Sequence, residues 1–205
     1  MIKTKKKILE ETERLFFRYG IRNITMDDIA RQLTISKKTL YEYFHDKDEL
    51  VYDVLKAHIE IDKKEMSEAQ HAAKDALEEI VKVSEGIKKD CEDMNPYLLH
   101  DLKRYYPNAY KLFSDFKDKY IIECIISNLE RGIREGVYRA TINVPILAKL
   151  RIHLIETAFN QDIFPADEFK TGEVHLQLLQ HFLHGIVTLK GHKLLNKYMQ
   201  IHEED

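Results

Sequence analysis

A short segment after Ser36 places polar, basic and aromatic side chains on one face of a predicted helix. At about 100° per residue, Leu40 and Phe44 fall on the opposite face, where they would be buried. The polar face and its flanks consist of Lys38, Thr39, Glu42 and His45, with Tyr41 and Tyr43 beside them. Side chains of these types can bind base edges and phosphates in a major groove of DNA. A solvent-exposed amphipathic helix is the alternative interpretation of the same pattern.

Lysines stand at two predicted helix starts in this region. Lys37 and Lys38 occupy the first turn of one helix, and Lys47 begins the next. The helix dipole disfavours a cation there by about 0.3–1 kcal/mol. Free N–H groups and lysines at a helix start together suit a phosphate anion. The spacing therefore predicts contacts to a nucleic-acid backbone.

Three capping signals divide the segment around these lysines into short helices. Thr25 is followed three residues later by Asp28, and Asp46 by Glu49, which are capping-box patterns, while Ser36 is a third cap. An amphipathic helix over about 5–19 precedes them. The two helices on either side of the 33–36 turn are too short to be stable alone. Their order predicts a helix-turn-helix, whose second short helix enters a DNA groove.

The linked motifs over residues 5–55 resemble the DNA-binding domain of the tetracycline-repressor (TetR) family of bacterial regulators. The resemblance rests on Phe16-Phe17-Arg18-Tyr19-Gly20, Thr25-Met26-Asp27-Asp28-Ile29-Ala30, Ile35-Ser36-Lys37-Lys38-Thr39-Leu40-Tyr41-Glu42-Tyr43-Phe44 and Lys47-Asp48-Glu49-Leu50. One departure is Thr34, which stands in the turn where the family usually has Gly. A β-branched residue tolerates positive φ poorly, so we expect a slightly different turn that still permits DNA binding.

The resemblance implies roles for individual residues. Thr25, Tyr41 and Lys47 match phosphate contacts. The positions that face bases and the adjacent backbone are matched by Lys37, Lys38, Thr39, Glu42 and Tyr43. Ser36 and His45 complete the predicted DNA-binding set. Glu42 has two interpretations: it accepts a hydrogen bond from cytosine N4, or it pairs with Lys38 one turn earlier.

The rest of the chain has helical periodicity without a recognisable motif. We expect an all-α protein with a helix-turn-helix DNA-binding domain over 1–52 and a helical ligand-binding and dimerisation domain over 53–205. The pattern places helices after residue 52 at about 69–93, 107–136, 143–158 and 172–189, with the helix that begins at Lys47 ending near 66.

The resemblance implies a homodimer with a four-helix interface, two helices from each subunit. The two late helices are apolar over an arc wide enough for two packing faces. The predicted interface residues are Leu147, Leu150, Leu154, Ala158, Leu179, Phe182, Leu183 and Ile186. Burial of both faces within one chain is the alternative. A two-fold dimer would match a palindromic operator.

Aromatic residues concentrate in the middle of the chain and are candidates for an effector pocket. They are Tyr97, Tyr105, Tyr106, Tyr110, Phe113, Phe116 and Tyr120. Ordinary core packing would give the same spacing. The resemblance implies that a small molecule bound here shifts the separation of two DNA-binding heads by population shift.

Composition excludes several other classes. Charged residues are 33% and hydrophobic residues 44%, as in ordinary globular proteins, and Gly and Pro are few. The net charge is +2 over 1–56 and −5 over 57–205, which gives a mildly basic head. No segment suits a membrane span, and no export signal is expected. Two widely spaced cysteines fit a reducing cytoplasm, where we expect the protein to act.

Catalytic and metal sites have little support. No phosphate loop, nucleophile elbow or zinc-protease motif occurs, so we expect no enzyme and no cofactor. A di-iron bundle would need two Glu-x-x-His motifs on long helices, and the two present, at 42–45 and 68–71, lie too close together in sequence. His175, His181 and His184 are a weaker metal candidate than interface or solvated histidines. We therefore expect a ligand-released repressor, the alternative being a helical interaction protein with non-specific binding.

Overall fold

The structure, a computed structural model, describes residues 2–92 and 94–200. It confirms the all-α fold class. The helices are α1 (Ile2–Tyr19), α2 (Met26–Gln32), α3 (Lys37–Tyr41), α4 (Lys47–Ala72), α5 (Ala76–Glu92), α6 (Leu98–Tyr105), α7 (Pro107–Asp115), α8 (Ile122–Arg134), α9 (Val144–Ala158), α10 (Thr171–His184) and α11 (Leu189–Met199). A π-helical segment, Phe116–Ile121, connects α7 to α8. None of the helices described is long and apolar enough to cross a membrane.

The chain forms two compact units. The first comprises residues 1–63 and 93–116, and the second comprises 64–92 and 117–205. This packing does not coincide with the functional division predicted at residue 52, because α6 and α7 belong to the same unit as the helix-turn-helix. The division into a DNA-binding and a ligand-binding domain stays a prediction.

The first unit packs short helices on one apolar core. Ile8 and Phe16 of α1, Ile29 of α2, Leu40 of α3 and Leu50 of α4 are all buried there. Helices α2 and α3 are five to seven residues long, too short to be stable alone. This shared core therefore holds them in place.

The second unit has a core of its own. Helices α5, α8, α9, α10 and α11 contribute its buried residues, among them Leu77, Leu129, Ile152, Leu179 and Leu195. Several helix boundaries differ from the predicted ones. Helix α4 continues to Ala72, beyond its predicted end near 66. The next helix, α5, begins after Asp75, whose carboxylate accepts hydrogen bonds from N–H groups in the first turn of α5. The predicted helix end at Asp93 lies outside the described residues.

Helix α11 was missed by the sequence analysis. The apolar run that predicted one helix over 172–189 is divided at Gly185, and Thr188 caps a new helix by accepting a hydrogen bond from Gly191 N–H. The signal was present, because a threonine directly before a helical segment is a frequent N-cap. The continuous hydrophobicity of the run concealed it.

Thr34 adopts the left-handed conformation that glycine usually supplies in such a turn, with φ +56°. The backbone turn is thus kept despite the Cβ. A left-handed L-residue costs about 1–2 kcal/mol, and Gly loses about 0.5–1 kcal/mol more entropy on folding than Ala. We expect Thr34→Gly to raise the free energy of unfolding by up to about 1 kcal/mol and Thr34→Ala to raise it less. Urea denaturation measures the free energy of unfolding of both variants. A Thr34→Gly variant that is less stable than the wild type would contradict backbone strain at Thr34.

Candidate nucleic-acid interface

The start of α2 is held by the capping box that the sequence predicted. Thr25 N–H donates to Asp28 Oδ2 (3.0 Å), and Asp28 N–H donates to Thr25 Oγ1 (3.2 Å). The Thr25 hydroxyl also donates to the Asp28 carboxylate. These hydrogen bonds lower the pKa of Asp28 below its usual value. Thr25 is exposed and fixed in position at the edge of the head.

Helix α3 is fixed at its start by two contacts. Ser36 Oγ accepts from Thr39 N–H (3.0 Å), which is the predicted cap. Lys37 Nζ lies 2.7 Å from Asp27 Oδ1, so an ion pair joins α3 to α2. Hydrogen bonding to Asp27 raises the pKa of Lys37. The ammonium of Lys37 is therefore oriented by the neighbouring helix.

The outward face of α3 combines exposed groups of different chemistry. Lys38, Tyr41 and Glu42 are exposed, Thr39 is half-buried, and Leu40 is completely buried beneath them. Among the residues that the structure describes, Lys38 and Glu42 form no ion pair with each other, so the second interpretation of Glu42 finds no support. Both side chains are available for a partner outside the chain.

The C-terminal edge of the face carries His45 and Tyr43. The His45 ring bonds to Asp46 Oδ2 (3.0 Å), and this hydrogen bond raises the pKa of His45. A histidine that stays protonated to higher pH is better suited to a phosphate. Tyr43 is half-buried and packs against the head core near Phe44.

Lys47 is predicted to bind a DNA phosphate, but in the structure its ammonium binds a backbone carbonyl of the protein. Its ammonium donates to the Ile21 carbonyl (2.6 Å) and lies near the rings of Phe16 and Tyr106. Burial lowers the pKa of Lys47. A contact between Lys47 and DNA requires the side chain to leave Ile21, and it stays a prediction.

The predicted effector aromatics are not gathered around one cavity. Phe116 is buried in the first unit. Three others pack against the core of that unit: Tyr106, Tyr110 and Phe113. Tyr120 belongs to the second unit. Only Tyr97 and Tyr105 line an open polar cleft of about 490 Å³ in the first unit. The ordinary-core interpretation thus explains most of the set.

Most of the predicted interface residues are buried within their own chain. The core of the second unit takes up Leu179, Phe182, Leu183 and Ile186, and Ala158 is completely buried as well. The structure places these five in the core of their own unit, and a role for them in an interface stays a prediction. Leu147, Leu150 and Leu154 of α9 stay partly accessible, and Ile146 beside them is 62% exposed.

The late histidines do not form a metal site. His175 is completely buried, whereas His181 and His184 are exposed. Over residues 2–92 and 94–200, no three His, Cys, Asp or Glu side chains are placed to hold a metal ion.

The comparisons with known proteins agree with this geometry. Residues 8–54 match the family described as bacterial regulatory proteins, tetR family. The chain is 29% identical over 186 residues to the HTH-type transcriptional regulator YvaF of Bacillus subtilis, which covers 88% of this chain and 94% of that protein. An HTH-type regulator of Staphylococcus aureus is 39% identical over 57 residues, 28% of this chain and 31% of its own length.

Solved structures share the fold over nearly the whole chain. A putative transcriptional regulator from Saccharomonospora viridis, in complex with choline, superposes with a TM-score of 0.76 at 22% identity and covers 92% of this chain and 100% of its own. A TetR-family regulator from Agrobacterium tumefaciens gives 0.73 at 18% identity, over 90% and 97%. At these identities the likeness shows the fold alone.

The capped short helices and the exposed face of α3 are those of a helix-turn-helix, and the chain is a DNA-binding transcriptional regulator. Within that class, the match over residues 8–54 and the shared fold confirm the predicted resemblance. Residues 8–54 are similar to the DNA-binding domain of the TetR family, and the chain shares the fold of a regulator of that family.

Proposed function

We propose that the protein is a homodimeric repressor that acts in the cytoplasm and leaves a palindromic operator when it binds a small molecule. The observation that carries the DNA-binding part is the outward face of α3, where Lys38, Thr39 and Glu42 lie above a buried Leu40. These side chains supply donors and acceptors for base edges. Thr25, Ser36 and Tyr41 supply hydroxyl groups for the backbone, and Lys37 supplies a charge.

The remaining accessible part of α9 supports the dimer. Ile146 is 62% exposed and Leu150 is 45% exposed, with Leu147 and Leu154 partly accessible on the same helix. Apolar side chains grouped in this way are typical of a protein–protein interface. A two-fold contact through α9 would present two copies of α3 to half-sites about 34 Å apart or a multiple of that distance.

A small-molecule effector is proposed by analogy. The regulator from Saccharomonospora viridis was solved with choline, and a ligand-controlled operator affinity for this chain would follow the same scheme. Release requires the ligand to bind one conformation more tightly than the other.

In vitro selection from random duplex DNA tests the proposed function. We expect the purified full-length protein to enrich a two-fold symmetric sequence at both low and near-physiological salt. Non-specific binding is dominated by phosphate contacts and weakens steeply with salt. Enrichment of no sequence, or of one that is lost at the higher salt, would favour a helical interaction protein with only electrostatic DNA binding.

Tyr41 is expected to contribute affinity without sequence preference, because it matches a phosphate contact. Tyr41→Phe removes one hydroxyl, which corresponds to about 0.5–1.5 kcal/mol, or roughly 2- to 10-fold in affinity. Fluorescence anisotropy with the selected duplex and a scrambled duplex measures the loss on each. A loss confined to the selected duplex would show that Tyr41 reads bases instead.

A further inference from the structure

Two polar side chains are buried in the core of the second unit, on neighbouring helices. Arg151 of α9 is 2% exposed and His175 of α10 is completely buried. Their neighbours along the helices are apolar and buried: Ala148 and Ile152 on α9, and Leu179 on α10. Neither side chain belongs to the DNA-binding face, and complete burial leaves His175 neither solvated nor at a surface.

These two side chains lack the partners that buried polar groups normally have. Arg151 Nη1 and both ring nitrogens of His175 make no hydrogen bond. Within the part of the chain that the structure describes, no carboxylate forms an ion pair with Arg151. Most buried polar groups in native proteins are satisfied. A buried guanidinium with an unpaired N–H is therefore an exception, and an anion is the partner that would satisfy it best.

The electrostatics of the pair define what it can bind. Burial lowers the pKa of Arg151 to about 10, which leaves the guanidinium charged at neutral pH. Burial, and secondarily the charge of Arg151, lowers the pKa of His175 to about 3, which leaves the imidazole neutral. The site thus has one positive charge and one neutral ring N–H donor, and the charge of Arg151 reaches the ring of His175.

A planar guanidinium fork matches a carboxylate in two parallel hydrogen bonds. A neutral imidazole adds one N–H donor. A monoanion offsets the single charge of Arg151, whereas a phosphate dianion would leave a net negative charge in an apolar core. The apolar neighbours on α9 and α10 suit a hydrocarbon group attached to the carboxylate.

We propose that Arg151 and His175 bind the carboxylate of an apolar monocarboxylic acid, which is the effector of this regulator. The inference rests on the proposed function for its regulatory meaning, but ligand binding itself can be measured without DNA. The two helices that carry the pair pack against each other, and α9 also carries the accessible leucines. Occupation of the site would therefore act directly on the helix proposed to form the dimer interface.

The test is a thermal-shift and calorimetric titration of the full-length protein with straight-chain carboxylates of two to ten carbons. The matched primary amides serve as the ligand control, since they have the same chain without the charge. We expect at least one carboxylate to raise the melting temperature and its amide to have no such effect. Absence of stabilisation by every carboxylate, or equal stabilisation by the amides, would overturn the proposal.

Arg151→Met separates a ligand-binding role from a structural one. Methionine preserves most of the apolar volume, and a core that no longer buries an unpaired charge should be at least as stable without ligand. Charged hydrogen bonds correspond to roughly 10- to 100-fold in affinity. We expect the carboxylate dissociation constant to rise by that factor and His175→Phe to raise it less. A variant that is less stable yet binds the carboxylate normally would assign Arg151 a structural role.

DNA binding distinguishes this inference from the proposed function. Arg151→Met should bind the selected duplex as the wild type does, and the carboxylate should release the wild type but not the variant. If the wild type binds the carboxylate without any effect on DNA, the ligand site stands and the effector role fails. If the protein selects no DNA sequence, the proposed function fails while the titration still decides the site.

Discussion

Arg131→Met is expected to lower the free energy of unfolding by about 3–5 kcal/mol, which is the usual cost of removing one partner of a buried ion pair. Arg131 donates to Glu79 Oε2 (3.0 Å) and Glu135 Oε1 (2.7 Å). It also donates to the carbonyls of Gln70 and Ala73. One side chain of α8 therefore binds carbonyl groups at the C-terminal end of α4 and a carboxylate of α5. Its loss removes all four contacts together.

Glu79 makes the loss large. This carboxylate is almost completely buried, and burial raises its pKa above the usual value. Without Arg131 it would be an unpaired charge in the core, and its pKa would rise further. A carboxyl group whose pKa is higher in the folded state stabilises the fold below that pKa and loses this stabilisation as the pH rises. The deficit of the variant should therefore shrink as the pH is lowered from 8 to 5.

Chemical denaturation at fixed protein concentration measures this prediction. Arg134→Met is the matched control, because it removes the same charge from the same helix. The Arg134 side chain is exposed, and its Nη1 lies as far as 4.0 Å from Glu130 Oε2, so the ion pair is weak. We expect that control to change stability by less than about 0.5 kcal/mol. The double variant Arg131→Met, Glu79→Leu should recover part of the loss. Equal effects of the two arginine substitutions would contradict the account.

Lys38→Ala is expected to change which base is preferred at one position of each half-site. Lys38 is exposed on α3 and, among the described residues, has no ion-pair partner. A lysine that binds guanine O6 and N7 discriminates against other bases by about 1–3 kcal/mol, or roughly 5- to 150-fold. The variant should lose that discrimination while it keeps the preferences at the other positions.

The measurement is a parallel selection with the wild type, Lys38→Ala and Lys56→Ala. Lys56 is an exposed lysine of α4, so its substitution removes the same charge away from the predicted reading face. The control should enrich the same sequence as the wild type with slightly lower affinity. An unchanged sequence from Lys38→Ala would show that another residue, such as Tyr43 or Glu42, reads that position.

The local signals of the head could be predicted well from the sequence. Capping residues act on backbone groups within three positions, so the caps at Thr25 and Ser36 could be predicted from the chain and are confirmed in the structure. The left-handed turn at Thr34 was the exception, because its residue type disfavours the conformation that it adopts.

Long-range features could not be predicted in this way. Arg131 meets Glu79 across 52 positions, and Arg151 faces a helix that begins twenty residues further on. Periodicity identifies an apolar face but not what covers it. The apolar arc of α10 therefore suits a dimer interface as well as a core, and the structure places Leu179 and Leu183 in the core of their own unit.

The most direct test of sequence-specific regulation compares one selected duplex with a scrambled duplex of the same composition over a range of salt concentrations. Fluorescence anisotropy of the wild-type protein gives both dissociation constants. We predict binding to the selected duplex that is tighter by about 10³-fold or more near physiological salt. Equal dissociation constants for the two duplexes, rising with salt in the same steep way, would contradict the assignment of α3 as a reading helix.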